Sequence, residues 1–183
     1  MIFCYNTYKI AKILKEEKMN LIAAVDLNWG IGYNSELLEK IPQDMKFFKE
    51  KTLGKVIVMG RNTLESLPNR KPLNQRINIV LTKNRNYNCE GVILCYSIKE
   101  LFIELKKYND EDIFIIGGES IYAQLISHCD RAYITKIYKE YVHNKILVNL
   151  DMDQGWQKVS TSEKLEFKHD IYFNFNTYIK KLL

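Results

Sequence analysis

The chain has 183 residues, 46% of them hydrophobic and 27% charged, with only 3 Pro and 8 Gly. This is one domain's length with enough apolar residues for a substantial core, and it excludes disordered, collagenous and low-complexity classes. Lys and Arg number 27 against 22 Asp and Glu, a net charge of +5 that suits phosphorylated or carboxylate ligands and falls short of a dedicated nucleic-acid binder.

Residues 1–18 read as an N-terminal extension. Ile10, Ile13 and Leu14 fall three and four apart among Lys9, Lys12, Lys15, Glu16, Glu17 and Lys18, an amphipathic helix signal that stops at Met19. Two origins are open: an appended helix that docks on the body, or an upstream start codon read in place of Met19. The domain proper spans 19–183 and opens on a core strand, Leu21-Ile22-Ala23-Ala24-Val25. A helix follows at 44–53, a strand at 55–59, a helix at 62–67, strands at 77–81 and 91–94, and a helix at 98–108. A strand at 113–116, a helix at 120–127 and a strand at 131–138 complete the alternation. The strands at 55–59, 77–81, 91–94 and 113–116 are almost wholly apolar, as strands buried on both faces are. Residues 156–163 and 171–179 carry alternating aromatics and read as a closing antiparallel hairpin. The expected fold is therefore α/β: a single domain with a central, mostly parallel sheet, helices on both faces and a C-terminal antiparallel hairpin.

The four cysteines, Cys4, Cys89, Cys95 and Cys129, form no CxxC pair, and His128, His143 and His169 lack partners at metal-ligand spacing, so no metal is expected. No stretch approaches the ~18–20 apolar residues of a membrane span, and no secretory signal pattern opens the chain. A reducing cytoplasm with free thiols is the expectation.

Open parallel sheets bind ligands beyond the carboxyl ends of their strands. Met59-Gly60-Arg61-Asn62-Thr63 is a strand end, a glycine and a helix start with a basic residue, and Ile116-Gly117-Gly118-Glu119-Ser120 repeats that logic. Each glycine taken alone could simply make a tight turn. Two such turns on one sheet point to a nucleotide, although neither is the six-residue Rossmann fingerprint. In a third segment, Asp44, Phe47 and Phe48 fall on one helix face behind Pro42. That face is either a first-turn acid above core phenylalanines, or one carboxylate beside aromatic surface, the means of holding a flat heterocycle by its donor edge.

These blocks, with Ala23-Ala24-Val25-Asp26, Gly30-Ile31-Gly32, the run Ile41 to Lys49, Val58 to Ser66 and Arg76, resemble dihydrofolate reductase from Met19 onward. The resemblance implies NADPH-dependent reduction of 7,8-dihydrofolate to 5,6,7,8-tetrahydrofolate, supplying one-carbon metabolism and thymidylate synthesis. It implies that Asp44 holds the pterin's 2-amino and N3 edge with Thr135 sharing a hydrogen bond, and that Ile22 and Ile116 offer carbonyls. Met45, Phe48, Lys49, Leu67 and Leu73 would line the substrate slot, and Arg76 would fork onto the α-carboxylate of the folate tail. NADPH would lie on Gly60, Arg61, Asn62 and Thr63 and on a cis Gly117-Gly118, Glu119 and Ser120. Tyr122 would sit near the nicotinamide, Arg61, Thr82 and Lys83 near the 2′-phosphate, and Ala24 and Ile31 would complete the cofactor set. Antifolate inhibitors would share the substrate slot, and a monomer with neither nucleic-acid nor membrane partners is implied.

Three departures stand out. Glu39 replaces the family's usual Trp. Within ~7 Å of Asp44 it would repel that carboxylate by about 2 kcal/mol at an effective permittivity of ~20, whereas pointing to solvent it would do nothing. Asn144 and Lys145, after His143, replace the glycine and acid that brace the lid, and Ser120 replaces an arginine, leaving the 2′-phosphate to Arg61 and Lys83. Two rivals remain in view: the pyrimidine reductase of riboflavin synthesis, which shares the fold and NADPH, and a noncatalytic nucleotide or single-strand binder using the lysines and 12 tyrosines.

Overall fold

A computed structural model describes residues 18–181. The helical signal at Ile10, Ile13 and Leu14 lies outside the described residues. In chain order the elements are β1 (Met19–Val25), β2 (Gly30–Gly32), α1 (Pro42–Thr52), β3 (Val56–Gly60), α2 (Arg61–Ser66), β4 (Ile77–Leu81) and β5 (Val92–Cys95). They continue with α3 (Ile98–Leu105), β6 (Ile113–Gly117), α4 (Glu119–Leu125), β7 (Cys129–Ile137), β8 (Lys145–Ile146), β9 (Trp156–Thr161), β10 (Leu165–Lys168) and β11 (Ile171–Lys180).

One nine-stranded sheet runs β10-β11-β7-β1-β6-β3-β4-β5, with β9 also paired to β11. From β7 to β5 every neighbouring pair is parallel, and β11 turns the sheet antiparallel against β7. The mostly parallel sheet and C-terminal antiparallel strands are thus as expected. The expected antiparallel pairing of 156–163 with 171–179 is also present, as β9 with β11, and one strand is added to it. The tight hairpin partner of β11 is β10, with Leu165 opposite Phe173, while β9 pairs with the later half of β11. Residues 165–168 alternate apolar and polar, but as four mostly exposed residues at an edge they are too short a run for a period-two signal to stand out.

Helices cover both faces, and the core divides accordingly. Leu101 and Leu105 of α3 with Ile121, Tyr122 and Leu125 of α4 pack on one side. Leu64 of α2 and the half-buried Phe47 and Phe48 of α1 pack on the other, against Ile22, Ile57, Met59, Val80 and Phe114. Pro42 opens α1 with its fixed φ, Asp44 sits in the first turn, and Lys49 and Lys51 occupy the last, each complementing the helix dipole. Gly54, at φ +73°, ends the turn where other residues would be strained. In α3, the Ser97 hydroxyl accepts from the Glu100 amide at 3.1 Å and Glu100 accepts from the Tyr96 amide at 2.8 Å, a reciprocal cap that fixes the helix start.

β2 and β8 form a separate two-stranded ribbon, Gly30 opposite Ile146 and Gly32 opposite Lys145. Asp26, fully buried at the end of β1, anchors it. Asp26 Oδ1 accepts from the amides of Asn28 (2.9 Å) and Gly30 (2.8 Å), and Oδ2 accepts from the Tyr141 amide at 3.0 Å. His143 Nδ1 lies 3.4 Å from the same Oδ2 and 3.0 Å from the Tyr141 carbonyl. A side chain at Gly30 would collide with that imidazole at 2.5 Å, so glycine lets β2 lie directly on His143. The lid brace that lacks a glycine and an acid is made instead by Asn144, whose Oδ1 accepts from the Asn34 amide (3.2 Å) and whose Nδ2 donates to Asn34 Oδ1 (2.9 Å).

Candidate active site

The carboxyl ends of β1, β3, β4 and β6 open into a cleft of about 790 Å³ between the sheet and the β2–β8 ribbon. Gly60 and Gly118 bring backbone into its wall, where added Cβ atoms would meet Ile121 at 3.1 Å and Thr63 Oγ1 at 3.3 Å. Ala24, Ile31, Gly60, Arg61, Asn62, Thr63, Thr82, Lys83, Gly118, Glu119, Ser120 and Tyr122 all line it, together with Ile116. Gly117 of the expected cofactor set does not. It is buried at φ +108° beneath the Tyr122 ring, which a Cβ at this position would meet at 2.9 Å, and the Gly117–Gly118 peptide is cis. Sequence reading missed Ser35, Glu36 and Leu37 of the lid, Tyr96 to Ile98 at the α3 cap, and Lys145. None sits in a glycine turn, and all reach the cleft through long-range packing.

The cleft's cations are unequally available. Arg61 donates to Glu65 Oε1 at 3.2 Å and lies over the Tyr87 ring, and Lys145 pairs with Glu119 at 3.2 Å. Lys83 has no carboxylate partner among the described residues and is exposed beside the buried Thr82. Of the two residues expected to carry the 2′-phosphate contact in place of an arginine at 120, Lys83 is therefore the freer charge.

Next to the cleft, α1 presents Asp44 to β7. The Thr135 hydroxyl, buried, donates to Asp44 Oδ1 at 2.5 Å. Burial raises the Asp44 carboxyl above the usual range and the Thr135 hydrogen bond lowers it, with burial the larger effect. Ile22, Phe48, Leu67, Leu73 and Ile116 gather in one apolar cluster beside it. Met45 and Lys49 of α1 are exposed and stand outside that cluster. The Tyr122 hydroxyl donates to the Ile22 carbonyl at 2.9 Å, so Ile22 keeps one lone pair for a ligand and Ile116 stands between the two halves. Burial first, and then the nearby Asp44 charge, push the Tyr122 phenol well above its ordinary value, so it stays a neutral donor.

At the far end, Arg76 Nε donates to Thr52 Oγ1 at 2.7 Å and its Nη1 to the Asn74 carbonyl at 2.8 Å. Thr52 is buried and itself donates to the Phe48 carbonyl at 2.8 Å, which aims its lone pair at the guanidinium. The guanidinium stays half-buried at the edge of the aromatic slot, 5.9 Å from the Phe48 ring centroid.

Glu39 does not point freely to solvent. It accepts from the Tyr141 hydroxyl at 3.1 Å and from Lys168 Nζ at 3.2 Å. Burial raises its carboxyl, but Lys168 and Tyr141 outweigh that and hold it below the usual range. Asp44 takes no part in these hydrogen bonds.

A glycine-walled cleft of dinucleotide size, bordered at Ile116 by an aromatic and apolar cluster beside a single carboxylate, defines a nucleotide-dependent oxidoreductase acting on a flat heterocycle. Residues 18–180 match the family model described as dihydrofolate reductase. The chain is 35% identical over 154 residues to the dihydrofolate reductase of Buchnera aphidicola, covering 84% of this chain and 93% of that one. It is 32% identical over 164 residues to that of Bacillus subtilis, covering 89% and 95%. A dihydrofolate reductase from Enterococcus faecalis, complexed with NADP(H) and RAB-propyl, superposes with a TM-score of 0.79 at 33% identity, covering 90% of this chain and 97% of that one. The chain belongs to the dihydrofolate reductase family.

Proposed function

We infer that the two halves of the cleft divide the work of NADPH-dependent reduction of 7,8-dihydrofolate to 5,6,7,8-tetrahydrofolate. The observation that carries this reading is the Asp44–Thr135 pair set next to the glycine-walled cleft. NADPH, when bound, supplies the hydride that reduces C6. The residues present fit a dinucleotide: Gly60 and Gly118 put backbone in the cleft wall, Asn62, Thr63 and Ser120 offer donors, and Arg61 and Lys83 offer positive charge.

Asp44 accepts hydrogen bonds from the pterin's 2-amino and N3 groups, and Thr135 keeps the carboxylate turned toward them. Its negative charge favours the protonated ring, while water delivers the proton to N5. Phe48, Leu67, Leu73, Ile22 and Ile116 exclude water from the ring faces, with Met45 and Lys49 at the rim. Arg76, preset by Thr52, takes the tail carboxylate. The partners are dihydrofolate and diaminopyrimidine antifolates, and we assign the chain to the cytoplasm as a monomer. Cys89, Cys95 and Cys129 are free thiols, and among the described residues no helix is long and apolar enough to cross a membrane.

The test is loss of NADPH absorbance on adding dihydrofolate, with and without an antifolate, in wild type and Asp44→Asn. Wild type should turn over and be inhibited, and Asp44→Asn should lose most turnover with its fold intact. Wild-type rates in Asp44→Asn would sink the assignment of this carboxylate.

A further inference from the structure

The ribbon over the cofactor cleft consists of a three-residue and a two-residue strand, too short to hold itself in place. Its position must come from its anchors. Asp26 ties it to the end of β1, and the Asn34–Asn144 pair ties it to itself. Glu119 does something different. Its Oε1 accepts from the Ile146 amide at 3.0 Å and its Oε2 pairs with Lys145 Nζ at 3.2 Å. Among the hydrogen bonds and ion pairs of the described residues, these alone join the ribbon to α4, on the opposite wall of the cleft. Lys145 lies opposite Gly32, so a pin on β8 also fixes β2 and the lid residues Ile31 and Ser35 to Leu37 that face the cavity.

We propose that Glu119 is a positioning residue that pins the β2–β8 ribbon closed across the cofactor cleft and thereby slows release of the bound dinucleotide. The inference rests on the reading that the cleft takes NADPH. The Ile146 amide and then Lys145 hold the Glu119 carboxyl below the usual range against the opposing effect of burial, so the pin is ionised at neutral pH.

The sign of the effect separates this role from simple electrostatics. A carboxylate in the wall of a cleft that receives phosphates repels them, so removing its charge would tighten NADPH binding if Glu119 were only a wall charge. A pin predicts the opposite: removal lets the ribbon open and NADPH leaves faster.

The experiment is stopped-flow NADPH dissociation and association on the full chain, for wild type, Glu119→Ala and Glu119→Gln. The amide of Glu119→Gln keeps an oxygen for Ile146 while dropping the charge, and it serves as the informative variant if Glu119→Ala folds poorly. Glu119→Ala should raise koff roughly three- to tenfold, the range open to a partly exposed ion pair plus a backbone hydrogen bond, with kon unchanged or higher. Glu119→Gln should fall between. Hydrogen exchange at the Ile146 amide in the NADPH complex should quicken in Glu119→Ala, a readout that a general loss of stability would spread over the whole core. Unchanged or slower release in both variants overturns the pin. Wild type that fails to bind NADPH overturns the reading of the cleft and the pin with it, whereas intact wild-type binding with unchanged variants overturns the pin alone.

Discussion

Replacing Thr135 by Val removes the hydroxyl that opposes burial in setting the proton affinity of Asp44, while keeping nearly the same shape. A hydrogen bond to a charged group is worth ~1.5–3 kcal/mol, so at 1.36 kcal/mol per pH unit the already raised carboxyl should rise by about a further 1–2 units. The assay is the dissociation constant of a 2,4-diaminopyrimidine antifolate from about pH 5 to about pH 9, because that ligand needs the ionised carboxylate. Its acid limb should move upward by about 1–2 units in Thr135→Val and stay near wild type in Thr135→Ser, which keeps the donor. Stability supplies a second readout with a fixed sign. A carboxyl whose folded pKa exceeds its unfolded one costs nothing below the unfolded value and costs progressively more as pH rises through the folded one. Thr135→Val should therefore be destabilised most at neutral and alkaline pH and approach wild type in acid. An acid limb that moves by less than ~0.3 units would refute the reasoning, because Thr135 would then not be what tunes Asp44.

Arg76→Leu should raise the KM for dihydrofolate by roughly one to two orders of magnitude, the ~1.5–3 kcal/mol of a charge-assisted pair, and leave dihydropteroate, which lacks the tail, unaffected. Equal weakening of both substrates would show that Arg76 supports the fold instead. Asp26→Asn puts an NH2 group where a fully buried carboxylate now accepts from three backbone amides, which should cost about 2–4 kcal/mol and lower Tm by roughly 5–15 °C in calorimetry. A Tm within ~2 °C of wild type would mean that the ribbon is anchored elsewhere. Glu39→Gln should cost no more than ~1 kcal/mol, present at neutral pH and lost as pH falls through the lowered folded pKa, because Lys168 is largely exposed. Its antifolate pH profile should match wild type, and a shifted acid limb would show coupling to Asp44 after all.

The parallel part of the sheet was legible because its strands are buried on both faces, which writes them as short apolar runs such as Val56 to Met59. The two glycine turns were legible for a local reason as well, since backbone that must approach a ligand or a neighbouring helix excludes a side chain within the motif itself. Glu39 shows the limit of that method. Its neighbours in sequence say nothing of Tyr141 and Lys168, which lie 102 and 129 residues away and convert a charge that could have burdened the site into a strut of the lid.

The β2–β8 ribbon was invisible for the same reason, and its construction has a consequence for function. The substrate side is framed by α1 and the sheet, through buried apolar contacts of Phe48, Ile22 and Leu64 that are non-directional and hard to open singly. The cofactor side is roofed by two short strands whose ties are mostly polar and near solvent: Asn34 to Asn144, Lys145 and Ile146 to Glu119, and one buried carboxylate at the base. Breaking such a tie exposes groups that water can satisfy, so its opening free energy is a fraction of the global one. A reaction that must admit and release a large dinucleotide while keeping water from the reacting carbon needs that asymmetry: a wall that stays and a roof that lifts. Amide exchange in the free enzyme should therefore be fast at Ile146 and Asn34 and slow at Ile57 and Ile115, the buried strand centres that carry the fixed wall.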